Sequence, residues 1–161
     1  MVQTRIHLVL LFLLALLPVS IGQAAITSPS GGAESPRPQL DLAPEDVVSI
    51  VIRALANNDD PYPDAGIETT FKFASPQNRA NTGPLDRFSQ MVKSYPYGDM
   101  LDHQASDISE VVFVGDKAYL LVKLIAQDGR EVAYAFRLSQ QSDGEYQGMW
   151  MTDAVWPVNK P

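Results

Sequence analysis

The 161-residue chain contains no cysteine and only two histidines, His7 and His103. Without cysteine it cannot form a disulfide framework, a thiolate nucleophile or a cysteine-ligated zinc or iron–sulfur site. Two histidines cannot furnish a multi-histidine metal site within one chain, and no motif calls for another cofactor. Positive charge is scarce as well: 12 Lys+Arg against 19 Asp+Glu leave a formal net charge of −7. An acidic surface repels phosphate backbones and anionic head groups, so nucleic acid and membrane surfaces are not expected partners. The longest uninterrupted apolar run, Leu8 to Leu17, is about half of the roughly 20 residues that span a bilayer.

That short run lies between Arg5 and the sequence Pro18, Ser20, Gly22, with small residues at Ala24 and Ala25, which is the three-part layout of a secretory signal. Residues 1–24 are therefore read as a cleavable signal peptide, with Ala25 the alternative last residue, and the protein as exported to a periplasm, a lumen or the medium. No stable membrane span is expected after cleavage. Their loss removes Arg5 and no acid, taking the charge to −8 (11 Lys+Arg against 19 Asp+Glu). Residues 25–43, which include Ser-Pro-Ser-Gly-Gly-Ala-Glu-Ser-Pro-Arg-Pro, bury too little apolar surface to offset the entropy of ordering and read as a flexible polar leader. Residues 44–158 remain, enough for one domain with one core.

From Pro44 the periodicity becomes helical. Val47, Val48, Val51, Ile52 and Leu55 share a face, Pro44 suits a first turn, and Glu45 and Asp46 sit at the positive end of the dipole, which predicts a helix to about Ala56. A second helix is predicted from Asp64, as its cap, to Phe73. Ala74-Ser75-Pro76 ends it, and Gln77 to Gly83 reads as a polar loop. Leu85, Phe88, Met91 and Val92 mark a third helix, capped by Thr82 and opened by Pro84.

Period two then takes over. One strand is predicted within Leu101–Val114, a second alternates Ala118, Leu120, Val122, Leu124 and Ala126, and a third alternates Val132, Tyr134, Phe136 and Leu138. Gln127-Asp128-Gly129-Arg130 predicts a two-residue hairpin between the second and third. A closing strand is predicted from about Gln147 to Trp156, ended by Pro157. Helices followed by an antiparallel meander imply an α+β domain with its helices on one face of a sheet of four or more strands.

Several segments together carry a resemblance: Asp64-Ala65-Gly66-Ile67, Phe71-Lys72-Phe73-Ala74-Ser75-Pro76-Gln77-Asn78-Arg79, Thr82-Gly83-Pro84-Leu85-Asp86-Arg87-Phe88, Met91-Val92-Lys93 and Tyr95-Pro96. Over about Pro44 to Val158 the chain resembles domain of unknown function family 4864. That resemblance implies the cystatin-like cone typified by nuclear transport factor two, with helices packed into a curved antiparallel sheet. It implies no reaction, since such folds host enzymes, ligand carriers and interaction modules alike.

The candidate residues follow from side-chain chemistry. His103 is the one histidine in the expected domain, and Asp153, between Met151 and Val155, is the acid that fits an otherwise apolar strand face; together they are the candidate acid–base pair. Asp102 precedes His103, but neighbours on a strand point to opposite faces, so the two are not expected to touch. Asn78 and Arg79 could hold a carboxylate or phosphate by forked hydrogen bonds, or else serve helix ends and a surface ion pair. Tyr134 and Trp150 are candidate ligand-binding aromatics, with core packing as the alternative. Asn57-Asn58-Asp59-Asp60 with Asp64 offers oxygen ligands for calcium but lacks the EF-hand spacing, and is read as a solvated turn with no metal. The leading expectation is a non-catalytic module of the cell envelope that binds a small apolar ligand or an envelope protein. A small hydrolase or isomerase using His103 and Asp153 is the alternative. A third reading, a homodimer through the open sheet face, rests on Tyr119, Leu121 and Ile125 on the outer side of the second strand.

Overall fold

The structure, a computed structural model, describes residues 35–158. The signal peptide expected at 1–24 and the start of the expected leader lie outside the described residues. Four helices precede a five-stranded antiparallel sheet, in the order expected for an α+β domain. Among the described residues no helix is long and apolar enough to cross a membrane.

Helix α1 (Pro44–Ala56) has Pro44 in its first turn, and the Asp46 carboxylate accepts the Ala43 N–H at 2.9 Å. Its face of Val47, Val48, Val51, Ile52 and Leu55 is buried. Those side chains pack on Ala118, Leu120, Val122, Leu124, Tyr134, Phe136 and Leu138, the alternate residues of the two longest strands. Burying one such side chain stabilises by about 1.5–3 kcal/mol, so this seam is the core of the fold.

Helix α2 (Ala65–Phe73) begins where expected with Asp64 at the cap position, but Asp64 accepts no N–H of the helix through its side chain. Its φ of 66° places it in the left-handed region, and its carboxylate is drawn aside to Lys93 Nζ at 2.5 Å and Asn58 Nδ2 at 3.2 Å. The Lys93 ammonium, followed by Asn58, holds the Asp64 carboxyl below the usual carboxylate range. The expected polar loop after Ser75 is instead helix α3 (Pro76–Thr82). Ser75 Oγ accepts the Asn78 N–H at 3.2 Å, and proline is tolerated in the first turn. Thr82 is not the cap of helix α4 (Leu85–Val92): its hydroxyl donates back to the Asn78 carbonyl at 2.8 Å, and Pro84 occupies the cap position.

The strands are β1 (Ala105–Ile108), β2 (Val112–Val114), β3 (Lys117–Ile125), β4 (Glu131–Gln140) and β5 (Trp150–Pro157), in the spatial order β1-β3-β4-β5 with β2 also on β3. The single strand expected within Leu101–Val114 is thus two pieces. Ile108 pairs with Val122 but Val112 pairs with Tyr119, a one-residue slip that makes Ser109–Val111 a bulge, with Ser109 Oγ accepting the Leu121 N–H at 2.9 Å. The β3–β4 connection is longer than a two-residue turn, since pairing ends at Ile125 and Glu131. A short 3-10 turn at Gly144–Tyr146 delays the start of β5 to Trp150.

The two edges of the sheet differ. Beside β5, Ala74 forms a parallel bridge with Thr152 and the Ser75 N–H donates to the Thr152 carbonyl at 2.9 Å, so the α2–α3 junction covers that edge. On β2, Val112, Phe113 and Val114 are each more than half exposed.

Tyr134 joins the sheet to the segment before β1. Its hydroxyl donates to the Pro96 carbonyl at 2.6 Å, and burial pushes its phenol up to about 12 from the ordinary 10.0. Because the folded value lies above the unfolded one, this contribution to stability is complete below pH 10 and is lost as pH rises towards 12. Tyr134→Phe is expected to lose about 1 kcal/mol at neutral pH and to shallow the alkaline decline. A phenolate absorbance titration checks this, since the last-titrating tyrosine should vanish in the variant.

Candidate functional site

The four helices, Tyr97, Met100 and strands β4 and β5 line a cavity of about 310 Å³. Much of its wall is the core itself: Val51 and Leu55 of α1, Phe88, Met91 and Val92 of α4, Phe136 of β4 and Val155 of β5. Against these stand Thr70, Asn78, Asn81, Thr82 and Thr152. An apolar chamber with a few polar groups is the ordinary make-up of a small-molecule site, and this volume is at the small end of that range.

Most of the polar lining is occupied within the fold. The Asn78 amide donates to the Thr152 carbonyl at 3.0 Å, the Thr82 hydroxyl donates to the Asn78 carbonyl, the Thr70 hydroxyl donates to the Gly66 carbonyl at 2.9 Å, and the Tyr97 hydroxyl donates to the Val155 carbonyl at 3.2 Å. One atom is different. Among the described residues Thr152 Oγ1 is buried without a hydrogen-bond partner, and Thr152 opposes the core-facing Leu138 at the wall of this cavity. Arg137 Nε is likewise unmatched, but Arg137 alternates with Phe136 and Leu138 and so stands on the other face of the sheet. A buried polar atom left unmatched costs about 1–3 kcal/mol, so one at a cavity wall requires a reason.

The sheet is irregular at the same place. Arg137 pairs with Ala154 but Leu138 pairs with Thr152, leaving Asp153 as an extra residue in β5. Bulges re-aim side chains and loosen a ladder beside functional sites. Here the run from Thr152 to Val155 meets the cavity with every residue.

The residues proposed from sequence fall in several places. His103 does not lie on a strand: it sits buried in the connection between α4 and β1, its Nδ1 2.8 Å from the Met100 carbonyl, and the next residue, Gln104, donates its N–H to Ile125 O at the end of β3. Asp153 lines the cavity, but its carboxylate lies 3.8 Å from the ammonium of Lys117, at the opposite end of β3. The two ends of β3 are about 26 Å apart at roughly 3.3 Å per residue, so His103 and Asp153 are not brought within proton-transfer reach. Asn78 lines the cavity. Arg79 stacks over the Tyr146 ring, 4.8 Å from its centre, and Tyr134 is core. Trp150 is half-buried against Phe113, ring centres 6.0 Å apart.

Of the oxygens considered for calcium, those of Asn58 and Asp64 and one of Asp59 are engaged internally, Asp59 Oδ1 accepting from Asn58 Nδ2 at 2.7 Å and from the Asp64 N–H at 3.0 Å. Among the described residues no group of three or more acids and histidines is placed to hold a metal ion. Sequence reasoning did not single out Thr152 or Arg137. For Thr152 no local signal exists, because a threonine in a strand is ordinary. For Arg137 there was one: it stands in line with Ala133 and Ala135 on β4, where a long cation has no obvious partner.

A larger groove of about 580 Å³ runs along the side of the sheet away from the core, between Ala105–Asp107, Leu121, Ile125 and Ala133. Neither Thr152 nor Arg137 lines it, whereas the unmatched Thr152 hydroxyl lies at the wall of the helix–sheet cavity, which is therefore the better-defined site.

The model of a domain of unknown function, DUF4864, matches residues 40–159. No curated protein and no solved structure matches the chain.

Proposed function

Since the chain belongs to the DUF4864 family, whose description assigns no reaction, we propose that it is an exported, non-catalytic module that holds a small, largely apolar molecule between its helices and its sheet. The cystatin-like cone is the architecture this reading assumes. One observation carries it: Thr152 Oγ1, on the core-facing side of β5, is buried at the wall of an apolar cavity and has no hydrogen-bond partner among the described residues. A ligand with a polar end satisfies it, and the chamber of Val51, Leu55, Phe88 and Phe136 accepts its apolar body. At roughly 30 Å³ per water, 310 Å³ holds about ten non-hydrogen atoms, which sets the size of that molecule. An acid–base enzyme built on His103 and Asp153 is disfavoured by their separation.

The test is thermal unfolding of the chain, expressed with residues 1–24 and processed by its host, against a library of small metabolites and lipids. The mature protein is expected to begin at Ala25, and a true ligand at a hundred times its dissociation constant to add about 2.7 kcal/mol. Thr152→Val, which removes the hydroxyl but keeps the shape, is expected to fold and to lose most of that shift. An unprocessed chain would sink the export part of the reading. A library without effect on the wild type would sink the ligand part and turn attention to an envelope protein partner.

A further inference from the structure

We infer that the uncovered edge of the sheet is a docking strand for a cationic, extended segment of another protein, which joins β2 as one further strand. This surface is separate from the cavity. In β3 the odd-numbered residues turn their backbone groups towards β1 and β2: the N–H groups of Gln104 and Ser109 donate to the carbonyls of Ile125 and Leu121 at 2.8 and 2.9 Å. Opposed residues of an antiparallel pair alternate between bonded and unbonded, so Val112 and Val114 bond to Tyr119 and Lys117. Phe113, opposite Ala118, therefore directs its N–H and C=O away from the sheet. Among the described residues no backbone group pairs with them. An edge of this kind is a template for an incoming strand.

Charge decides which strand it takes. Proteins commonly guard a free edge with lysine or proline. From Ala105 to Asp116 the chain has neither; it has instead the acids Asp107, Glu110 and Asp116. Asp107 and Glu110 are exposed and make no ion pair among the described residues. Asp116 meets Lys117 at 3.5 Å but its side chain remains 87% exposed. These carboxylates repel a second copy of the same strand and attract a segment that carries lysine or arginine at its ends. Val112 and Val114 on one side of the strand, and Phe113 with the Trp150 ring on the other, meet the alternate side chains of the newcomer. The bulge at Ser109–Val111 breaks the edge towards β1, so the added strand is short, matched to β2 and its two acidic flanks.

The experiment uses the full chain and three synthetic probes. They are the peptide Lys-Val-Thr-Val-Thr-Val-Lys, its counterpart with glutamate for both lysines, and the lysine peptide N-methylated along its backbone, which keeps its charge but cannot pair. Affinities are read by fluorescence anisotropy and the place of binding by amide NMR. The lysine peptide is expected to bind about tenfold more tightly than the glutamate peptide, and the N-methylated copy not at all. The amides of Val111 to Gly115 should shift, and that of Phe113 should gain protection from hydrogen exchange. Glu110→Lys combined with Asp116→Lys should invert the preference between the two peptides. Phe113→Pro removes the outward N–H, leaves the ladder to β3 in place and should abolish binding of both. Melting curves report that each variant is folded, and the charge-reversed variant and the N-methylated probe keep the test alive should the proline variant fail to fold. Equal binding of the lysine and glutamate peptides, binding of the N-methylated copy, or shifts confined to another face overturns the proposal. So does the absence of binding in an assay that registers a dissociation constant of about 1 mM. Sedimentation of the chain as a dimer that Phe113→Pro dissociates overturns it in favour of a second copy as the occupant.

Discussion

Gly66→Ala is expected to destabilise the domain by about 3 kcal/mol, enough to remove a large share of the stability of a domain this size. Helix α2 meets α1 at this residue: the Gly66 N–H donates to the Asn58 carbonyl at 2.9 Å, and a Cβ built on Gly66 would overlap the Ala54 carbonyl and crowd the Asn58 Cα. Both obstacles are backbone, so no side chain can turn aside. Relief comes only from moving α1, whose entire apolar face is wedged into the sheet. Chemical denaturation of the two proteins checks this. A variant within about 0.5 kcal/mol of the wild type would mean that the two helices do not cross at this contact.

Asn58→Ala should be nearly as costly, by about 2–3 kcal/mol. Asn58 is 4% exposed, and its side chain does two jobs. Oδ1 accepts the N–H of Ile67 at 3.1 Å, and Nδ2 reaches Asp59 and Asp64. Truncation leaves the Ile67 N–H enclosed without an acceptor, a penalty of about 1–3 kcal/mol, and withdraws one of the groups that keep the Asp64 carboxylate ionised. Asn58→Asp keeps the acceptor but puts a third carboxylate beside two others, so it is expected to be unstable at neutral pH and to recover as the pH approaches the carboxylate range. Equilibrium unfolding across pH distinguishes the two variants. An alanine variant with the wild-type midpoint would show that the turn is held by other bonds.

Asn58 also shows where reading a sequence stops. In the run Asn-Asn-Asp-Asp nothing marks one residue as buried, and the whole segment reads as a solvated turn; only the approach of α2 encloses the second asparagine. Helix α1 and strands β3 and β4 were legible because each carries many apolar residues at one period, 3.6 or 2, and the core they form depends on that period alone. Helix α3 was not, because Pro76–Thr82 has no apolar stripe. Its one signal was Ser75 before Pro76, a cap and a first turn. Asp64 reads as a cap by residue type, yet an ammonium from a helix about thirty residues on outbids the local N–H groups. The cavity was the least legible feature: its wall from Thr152 to Val155 carries a one-residue slip between β4 and β5, and a slip in register leaves no trace in composition.

The uncovered edge of the sheet bears on how the molecule behaves among its own copies. Val112, Phe113 and Val114 offer a short, apolar, unshielded strand, bracketed by Glu110 and Asp116, on a chain whose net charge is −7. Among the described residues no loop or helix pairs with that strand in the way Ala74 and Ser75 pair with the other edge. What keeps two such strands apart is mutual repulsion, and repulsion between exposed charges reaches about 10 Å at 0.1 M salt but only about 3 Å at 1 M. Colloidal stability in this protein is thereby placed under the control of the ionic strength around it, with dilute electrolyte the protective condition and concentrated electrolyte the sticky one.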